Sequence, residues 1–306
     1  MSSLSKVMIS PHIHSGRSTA RIMADVLIAL IPATIAGMVI FGERALFVII
    51  VCMLCSMGFE ALFNLITKRE QTVGDLSAAV TGLLLALNLN ATTPLWQCAV
   101  GSLFAIVVVK CLFGGIGQNL VNPAIAARVF MVVAFTSLVQ PAFPVDSVAT
   151  ATPLSAEKMP AFWDLFLGNY GGAIGETCSA ALLLGGIYLL VRQVITWHIP
   201  VAYMGTVFVF SFFMEGFNAY DALTMVLAGG VLIGALFMAT DYTTTPPTSA
   251  GKLVFGLGCG LITCLIRYFG VYPEGVSFAI LFMNILTPYI SRWTRRKAFT
   301  EGGKCL

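Results

Sequence analysis

The chain has 306 residues, of which 58% are hydrophobic and only 10% are charged, and its formal net charge is +3. A soluble domain carries about 25% charged residues, so this chain cannot cover a water-exposed surface and is predicted to be a polytopic protein of the lipid bilayer. The few basic residues form short clusters between apolar runs, a pattern of membrane orientation that excludes a nucleic-acid-binding surface.

Apolar runs recur along the chain at lengths close to a membrane span, which is about 20 residues. No small-residue cleavage site follows the first run, so we expect no cleavable signal peptide. We predict an all-α polytopic membrane protein with ten transmembrane helices, at residues 22–41, 45–66, 76–89, 95–113, 122–138, 178–195, 199–214, 222–239, 253–269 and 276–290.

The segments between these runs alternate between rich and poor in basic residues along the chain. Inner segments carry basic residues such as Lys68, Arg192 and Lys252, whereas outer segments carry few. This positive-inside asymmetry predicts that both termini are cytoplasmic and that residues 141–177 face outward.

The two halves of the chain resemble each other. Asp75 and Asp221 each precede an apolar run that is followed by a Thr/Pro turn and a long span. Five spans per half predict inverted repeats, with sites formed near the midplane by interrupted helices. The predicted division is a cytoplasmic segment (1–21), a first repeat (22–140), an outer stretch (141–177), a second repeat (178–291) and a cytoplasmic basic tail (292–306).

Four acidic residues lie within or at the ends of apolar runs and are candidates for an ion path: Asp25, Glu60, Asp75 and Asp221. An ionisable group in the bilayer costs a few kcal/mol, so each needs a partner or a water-filled route. Asp75 and Asp221 stand just before helical runs, and for these two an N-cap role is the alternative.

Two polar breaks, residues 114–122 and 240–249, interrupt apolar sequence at membrane depth or at the inner edge. Irregular backbone is tolerated there when it is buried in protein or lines a cavity, so both breaks, with Asn122 at the end of the first, are candidates for a small-molecule pocket. The alternative is a pair of inner-face loops. Arg128, inside the following run, suits a phosphate or an anionic ring, or else an acidic side chain.

The outer stretch ends in a glycine-rich segment, Gly171, Gly172, Gly175 and Glu176, that runs into a helix. Glycines let backbone N–H groups turn toward an anion, and a helix N-terminus adds positive potential. The segment therefore suits a phosphate monoester, with helix capping as the alternative.

Several long motifs occur in the order typical of one family. They are SPHIHSGRSTARIM, FGGIGQNLVNPAIAARVF, ATATPL, FLGNYGGAIGET, WHIPVAYMGTVF and YPEGVSFAILFMNILTPYI. Over nearly its whole length the chain resembles the D subunit of the Rnf electron-transport complex, which is related to the B subunit of the sodium-pumping NADH:quinone oxidoreductase.

The resemblance implies a covalent cofactor. In that family an FMN transferase links the phosphate of FMN to a Thr hydroxyl in a sequence like Asp-x-x-Ser/Thr-Gly-Ala-Thr. Here Asp146 matches the leading Asp, Ala151 precedes the acceptor and Thr152 is the acceptor. Ala149 and Thr150 depart from the expected Ser/Thr and Gly, which leaves Thr150 as a second acceptor.

The resemblance also implies the role of the chain. We expect a bacterial membrane subunit of an ion-translocating ferredoxin:NAD oxidoreductase that passes electrons through FMN and couples them to Na⁺ or H⁺ movement. Members can also hold a second, non-covalent flavin, riboflavin, which the sequence leaves open. The chain has no nucleotide-binding fingerprint and no metal-ligand cluster, so it needs the other subunits of the complex. The alternative is a secondary transporter or channel with inverted repeats.

Overall fold

The computed structural model describes residues 18–135, 161–168, 170–270 and 275–295, and in these ranges helices alternate with turns and loops. The first half holds α1 (Thr19–Phe41), α2 (Glu43–Ile66), α3 (Ser77–Leu87), α4 (Leu95–Leu103, continued by the π-helix Phe104–Cys111) and α5 (Pro123–Ala134). The second half holds α6 (Phe162–Leu167), α7 (Ser179–Val191), α8 (His198–Met214), α9 (Ala219–Leu227), α10 (Val231–Ile233, continued by the π-helix Gly234–Met238), α11 (Ser249–Phe269) and α12 (Val276–Thr294).

Polar side chains begin several of these helices. The hydroxyl of Ser18 accepts from the backbone N–H of Arg21 at the start of α1, and that of Thr248 accepts from Gly251 at the start of α11. Each satisfies one of the N–H groups that a helix start leaves unpaired. Gly42, with φ 68°, turns the chain between α1 and α2 in a single residue, a left-handed conformation that favours glycine.

Each of the ten predicted spans overlaps a helix or a helix pair, and the prediction of an all-α polytopic membrane fold is confirmed. Among the described residues, three helices are long and apolar enough to cross a bilayer alone, namely α1, α2 and α11. The α9–α10 pair, bent by 67°, makes a fourth if it is counted as one span. Crossing by all ten segments stays a prediction.

The third predicted span, residues 76–89, is instead a half-length helix. α3 has 11 residues, all of them buried, and a length of about 16 Å, roughly half of a hydrocarbon core. The chain beyond it, residues 88–91, is buried without being helical. Since buried non-helical backbone needs partners inside the protein, α3 is an interrupted helix whose end must be satisfied by another segment.

The two predicted repeats meet where α1 packs against α7. Gly185 of α7 lies against the backbone of α1, and a Cβ there would collide with the carbonyl oxygen of Ala29. Small residues at such crossings let membrane helices approach closely. Within the first repeat α2 packs on α3 and α4, within the second α8 packs on α11 and α9, and a further contact between the repeats joins α5 to α12.

Candidate functional site

A cavity lies at the inner face of the bundle, which is the end where α1 and α3 begin and the face that the charge pattern predicts to be cytoplasmic. It encloses about 90 Å³, room for several water molecules. Ile116, Asn119 and Asn122 border it from the first polar break, and residues 240–243 border it from the second. The two breaks that were predicted to border a small-molecule pocket therefore line one cavity.

The asparagines of the first break have different roles. Asn122 Oδ1 accepts from the backbone N–H of Ala124 at 3.0 Å and caps α5, while its Nδ2 donates to the carbonyl oxygen of Met238 at 3.1 Å. The Oδ1 atom of Asn119 is buried and has no hydrogen-bond partner among the described residues. A cavity-lining acceptor without a donor suits a ligand N–H or a water. The sequence pattern indicated Asn122 as a candidate but not Asn119, because no feature of the polar break distinguishes Asn119 from the other polar residues in it.

Lys110, in the π-helix that continues α4, lines the same cavity. Its Nζ lies 2.7 Å from Oε1 of Glu60 and 2.6 Å from Oγ of Ser77. Lys110 and Glu60 are each 2% exposed, so this ion pair is fully buried. Glu60, predicted for an ion path, thus has a cationic partner on the continuation of α4. The pairing could not be predicted, because 50 residues separate the two.

A chain of polar side chains continues from this pair to the inner surface. Thr72, which is exposed, donates to Oε1 of Glu60 at 2.8 Å and accepts from Asn64 at 3.0 Å. Asp75 accepts from the backbone N–H of Ser77, the first residue of α3, at 2.8 Å, and also from its hydroxyl. The N-cap residue of α3 is Leu76, so Asp75 contacts the helix start from one position earlier and is not the N-cap that the alternative predicted.

Asp25 and Asp221, the other two ion-path candidates, also have partners. Arg192 Nη2 lies 3.1 Å from Oδ1 of Asp25, and Tyr188 OH donates to the same oxygen at 3.0 Å, which joins α1 to the end of α7. Asp221 lies in the first turn of α9 and accepts from Nδ2 of Asn218 at 2.6 Å. The N-cap of α9 is Asn218, whose side chain accepts from the backbone N–H of Tyr220. The N-cap role that was the alternative for Asp221 therefore belongs to Asn218.

Asp241 borders the cavity from the second break and is held by threonines. Its Oδ2 accepts from the hydroxyl of Thr243 at 2.9 Å and from that of Thr244 at 3.3 Å. Burial raises the pKa of the Asp241 carboxyl, and these hydrogen bonds oppose that shift in part.

The second interrupted helix bends where α9 ends. Gly229 has a φ of 65° at the bend, which glycine adopts without strain. Arg267 of α11 donates from Nη1 to the carbonyl oxygen of Met225 at 2.7 Å and from Nη2 to that of Ala228 at 2.9 Å. A guanidinium at this point satisfies carbonyls that the break leaves unpaired, at the negative end of the helix dipole.

The glycine-rich segment satisfies the end of the other interrupted helix. The backbone N–H of Gly175 donates to the carbonyl oxygen of Leu87 at 2.7 Å, and that of Ile174 donates to Leu89 at 3.0 Å. Residues 170–177 are buried, so the end of the stretch 141–177 lies inside the protein, and the side of the membrane that the stretch faces stays a prediction. The predicted phosphate seat at Gly171, Gly172 and Gly175 stays a prediction, and the N–H of Gly175 already has an acceptor.

Arg128 and Glu176, both predicted to contact the cofactor, are neighbours. Arg128 Nη2 lies 3.7 Å from Oε1 of Glu176, with the side chains 12% and 2% exposed. A Cβ on Gly230 would lie 2.8 Å from the same oxygen, which places the carboxylate against the start of α10, where the helix dipole favours a negative charge. Pairing with an acid was one of the two predicted roles of Arg128.

The predicted attachment site falls outside the described residues. This holds for Asp146, Ala151 and Thr152, and for the second acceptor Thr150. Of the stretch before the glycines, the structure describes residues 161–168, which include α6.

These features define a class of protein: an all-helical polytopic membrane protein built around two interrupted helices, with a polar cavity on one face. The profile of the NQR2, RnfD, RnfE family matches residues 6–300, and the chain belongs to this family. The family predicted from the sequence motifs is confirmed.

Curated relatives match the chain along nearly its full length. A protein of Acetobacterium woodii, named as the D subunit of a Na⁺-translocating ferredoxin:NAD⁺ oxidoreductase complex, is 44% identical, with 96% of this chain and 94% of the relative covered. A protein of Clostridium ljungdahlii, named as the D subunit of a proton-translocating ferredoxin:NAD⁺ oxidoreductase complex, is 38% identical, with coverage of 95% and 94%. A protein of Halorhodospira halophila, named as the D subunit of an ion-translocating oxidoreductase complex, is 34% identical, with coverage of 97% and 96%.

Proposed function

We propose that this chain is the D-type membrane subunit of an ion-translocating ferredoxin:NAD oxidoreductase of the Rnf kind, in a bacterial cell membrane with both termini cytoplasmic. The observation that carries the proposal is the 44% identity, over 96% of the chain, to a relative named as such a subunit. Reaction with ferredoxin and NAD belongs to sister subunits, because no nucleotide-binding fingerprint occurs in this sequence. The chain works only within the complex.

Its own contribution is to hold flavin. FMN is attached by an FMN transferase to the hydroxyl of Thr152, in the motif that Asp146 begins, and supplies the electron-transfer chemistry when bound. Arg128 and Glu176 flank that motif in the sequence, one on each side, and lie in contact with each other. Because the positive charge of Arg128 and the negative charge of Glu176 offset each other, the electric field of the pair at an added phosphate is small.

The inner cavity is proposed as the site of the second, non-covalent flavin. Its walls include the apolar side chains of Val80, Leu84 and Phe237. The unpartnered Oδ1 of Asn119 is an acceptor for a ring N–H, and Lys110 is a donor for a ring carbonyl. Apolar walls with a few converging polar groups are the usual lining of a cofactor site. A three-ring ligand exceeds the free space of about 90 Å³, so binding requires the cavity to widen.

Ion coupling is proposed on the names of the relatives, which give Na⁺ in one case and protons in another. Of the four acids predicted for the path, Asp25 and Glu60 face Arg192 and Lys110, whereas the contacts of Asp75 and Asp221 are with neutral donors. A carboxylate that no cation neutralises attracts a mobile cation more strongly. We therefore place the ion path at Asp75 and Asp221.

The test uses the intact complex in proteoliposomes, purified from a host in which this chain is replaced by a variant. Thr152→Val is expected to abolish ferredoxin-dependent NAD⁺ reduction and ion uptake together, while the complex still assembles. Asp221→Asn is expected to lower ion uptake per electron pair, and Asp25→Asn serves as its matched control. Full activity of a complex that lacks this chain would contradict the proposal.

A further inference from the structure

We infer that Lys110 stabilises negative charge on a redox group bound in the inner cavity, and that Glu60 is its positioning residue. The inference rests on the proposed second flavin and deepens it. The function proposed above gives Lys110 only a hydrogen bond to the ring and gives Glu60 no role toward the flavin. The pair is also separate in sequence from the predicted attachment site at Thr152.

The geometry supplies the first argument. Glu60 on α2 and Ser77 on α3 take two of the three N–H donors of the Lys110 ammonium, at 2.7 Å and 2.6 Å. The third donor remains for a molecule in the cavity that Lys110 borders. Two buried contacts from two helices fix the ammonium in place, which is the condition for a charge to act without reorganisation.

The arrangement of Lys110 and Glu60 sets the direction of the dipole that the two charges form. Lys110 lines the cavity, whereas Glu60, which accepts from the ammonium, is absent from the lining. The pair is therefore a fixed dipole with its positive end toward the cavity. Among the described lining residues Lys110 is the only cation, and the carboxyl that borders the cavity, Asp241, is held by Thr243 and Thr244. Such a dipole favours the more negative state of a ligand at low dielectric.

A structural pair and a charge-stabilising pair predict different results. If the ion pair only joins α2 to the continuation of α4, its removal weakens binding of oxidised and reduced flavin equally. If Lys110 stabilises charge, its removal weakens binding of the reduced form more, since the negative charge appears on reduction. Removing the Glu60 charge has the opposite effect, because the remaining ammonium is no longer balanced.

The experiment measures dissociation constants of riboflavin for the full-length chain in detergent, oxidised and after dithionite reduction. The chain is made in cells without FMN transferase, so that no covalent flavin contributes. We expect Lys110→Met to lower the preference for reduced over oxidised riboflavin at least tenfold, which is about 30 mV for a two-electron couple. Glu60→Gln is expected to raise the preference, and Lys110→Arg to keep it within threefold.

Folding is controlled by a double variant. Glu60→Gln with Lys110→Met removes both charges at once, leaves neither member of the pair as an uncompensated charge and is expected to lower the preference as the single Lys110 change does. Lys252→Met changes a lysine on the same inner face that is absent from the cavity lining, and is expected to have no effect.

The outcomes separate the two proposals. A preference that stays within threefold in Lys110→Met and in the double variant, while riboflavin still binds, overturns the role of Lys110 and leaves the flavin site standing. A parent chain that binds neither form of riboflavin overturns the cavity site and this inference together, and leaves the attachment at Thr152 untouched.

Discussion

The backbone N–H of Gly175 donates a hydrogen bond to the carbonyl oxygen of Leu87 at 2.7 Å, and this contact joins the end of the predicted flavin stretch to the end of interrupted helix α3. A half-length buried helix leaves its last carbonyls without intrahelical partners. The glycine-rich segment supplies the partner of the last of them, Leu87, whereas the carbonyls before it accept from Asn88 and Leu89. The chain that leads from the predicted attachment site into the second repeat therefore also contacts the end of this interrupted helix.

The close contact between Gly175 and Leu87 can be tested with two glycine variants, one at a tightly packed position and one at a looser position. A Cβ on Gly175 would lie 2.6 Å from Cβ of Leu87, whereas on Gly172 the nearest atom, in Thr177, is 3.5 Å away. We expect Gly175→Ala to destabilise the protein by about 1–3 kcal/mol through overpacking and Gly172→Ala to be tolerated. Thermal unfolding in detergent compares the two; equal midpoints would contradict the packing described for this junction.

The buried Lys110–Glu60 pair predicts a non-additive stability effect. Lys110→Met alone leaves the Glu60 carboxylate buried without its cation and is expected to cost about 3–5 kcal/mol. The double change with Glu60→Gln is expected to cost less than the single one, because it removes both charges. Thermal midpoints of the parent, the two single variants and the double variant close the cycle, and simple additivity would argue against a coupled pair.

Arg267 is expected to stabilise the bend between α9 and α10. Its two hydrogen bonds to the carbonyls of Met225 and Ala228 are charge-assisted, and each contributes about 1.5–3 kcal/mol in typical cases. Arg267→Met should lower the thermal midpoint clearly, while Arg292→Met, at an exposed position in the last turn of α12, should not. Similar midpoints for both variants would exclude a capping role for Arg267.

Asp241 predicts a pH-dependent stability. Burial raises the pKa of its carboxyl, so the folded state binds the proton more tightly than the unfolded state. Stability from this group is therefore lost as the pH rises from the ordinary Asp pKa of about 3.9 through the raised value. Asp241→Asn should remove the loss, and its thermal midpoint relative to the parent should be higher at pH 8 than at pH 5. A constant difference between the two pH values would count against this.

Much of the fold follows from the sequence for one physical reason. Apolar runs long enough to approach a span become helices, and polar caps such as Asn122 and Thr248 mark where helices begin. The pattern of apolar runs does not predict how long a helix is when it is buried inside the protein. The segment after Asp75 is as apolar as a true span, yet α3 stops at Leu87, whose carbonyl oxygen accepts from Gly175, far along the chain.

The candidate site, like the fold, has features that the sequence predicts and features that it does not. Both polar breaks border the inner cavity, because irregular backbone at membrane depth has few stable surroundings, while a small molecule in that cavity stays a prediction. The pairs Glu60–Lys110, Asp25–Arg192 and Glu176–Arg128 are contacts between distant segments, at separations that no local pattern encodes. Sequence reasoning identified most of these charged residues individually and could not assign their partners.

Covalent attachment of flavin to Thr152 is the feature on which the proposed function depends most, and in-gel flavin fluorescence of the denatured chain measures it. Parent, Thr150→Val and Thr152→Val chains are made in cells that contain the FMN transferase and are compared at equal protein amounts. We expect a fluorescent band for the parent and for Thr150→Val, and a dark band for Thr152→Val. A dark parent band, or fluorescence that survives in Thr152→Val, would contradict attachment at this residue.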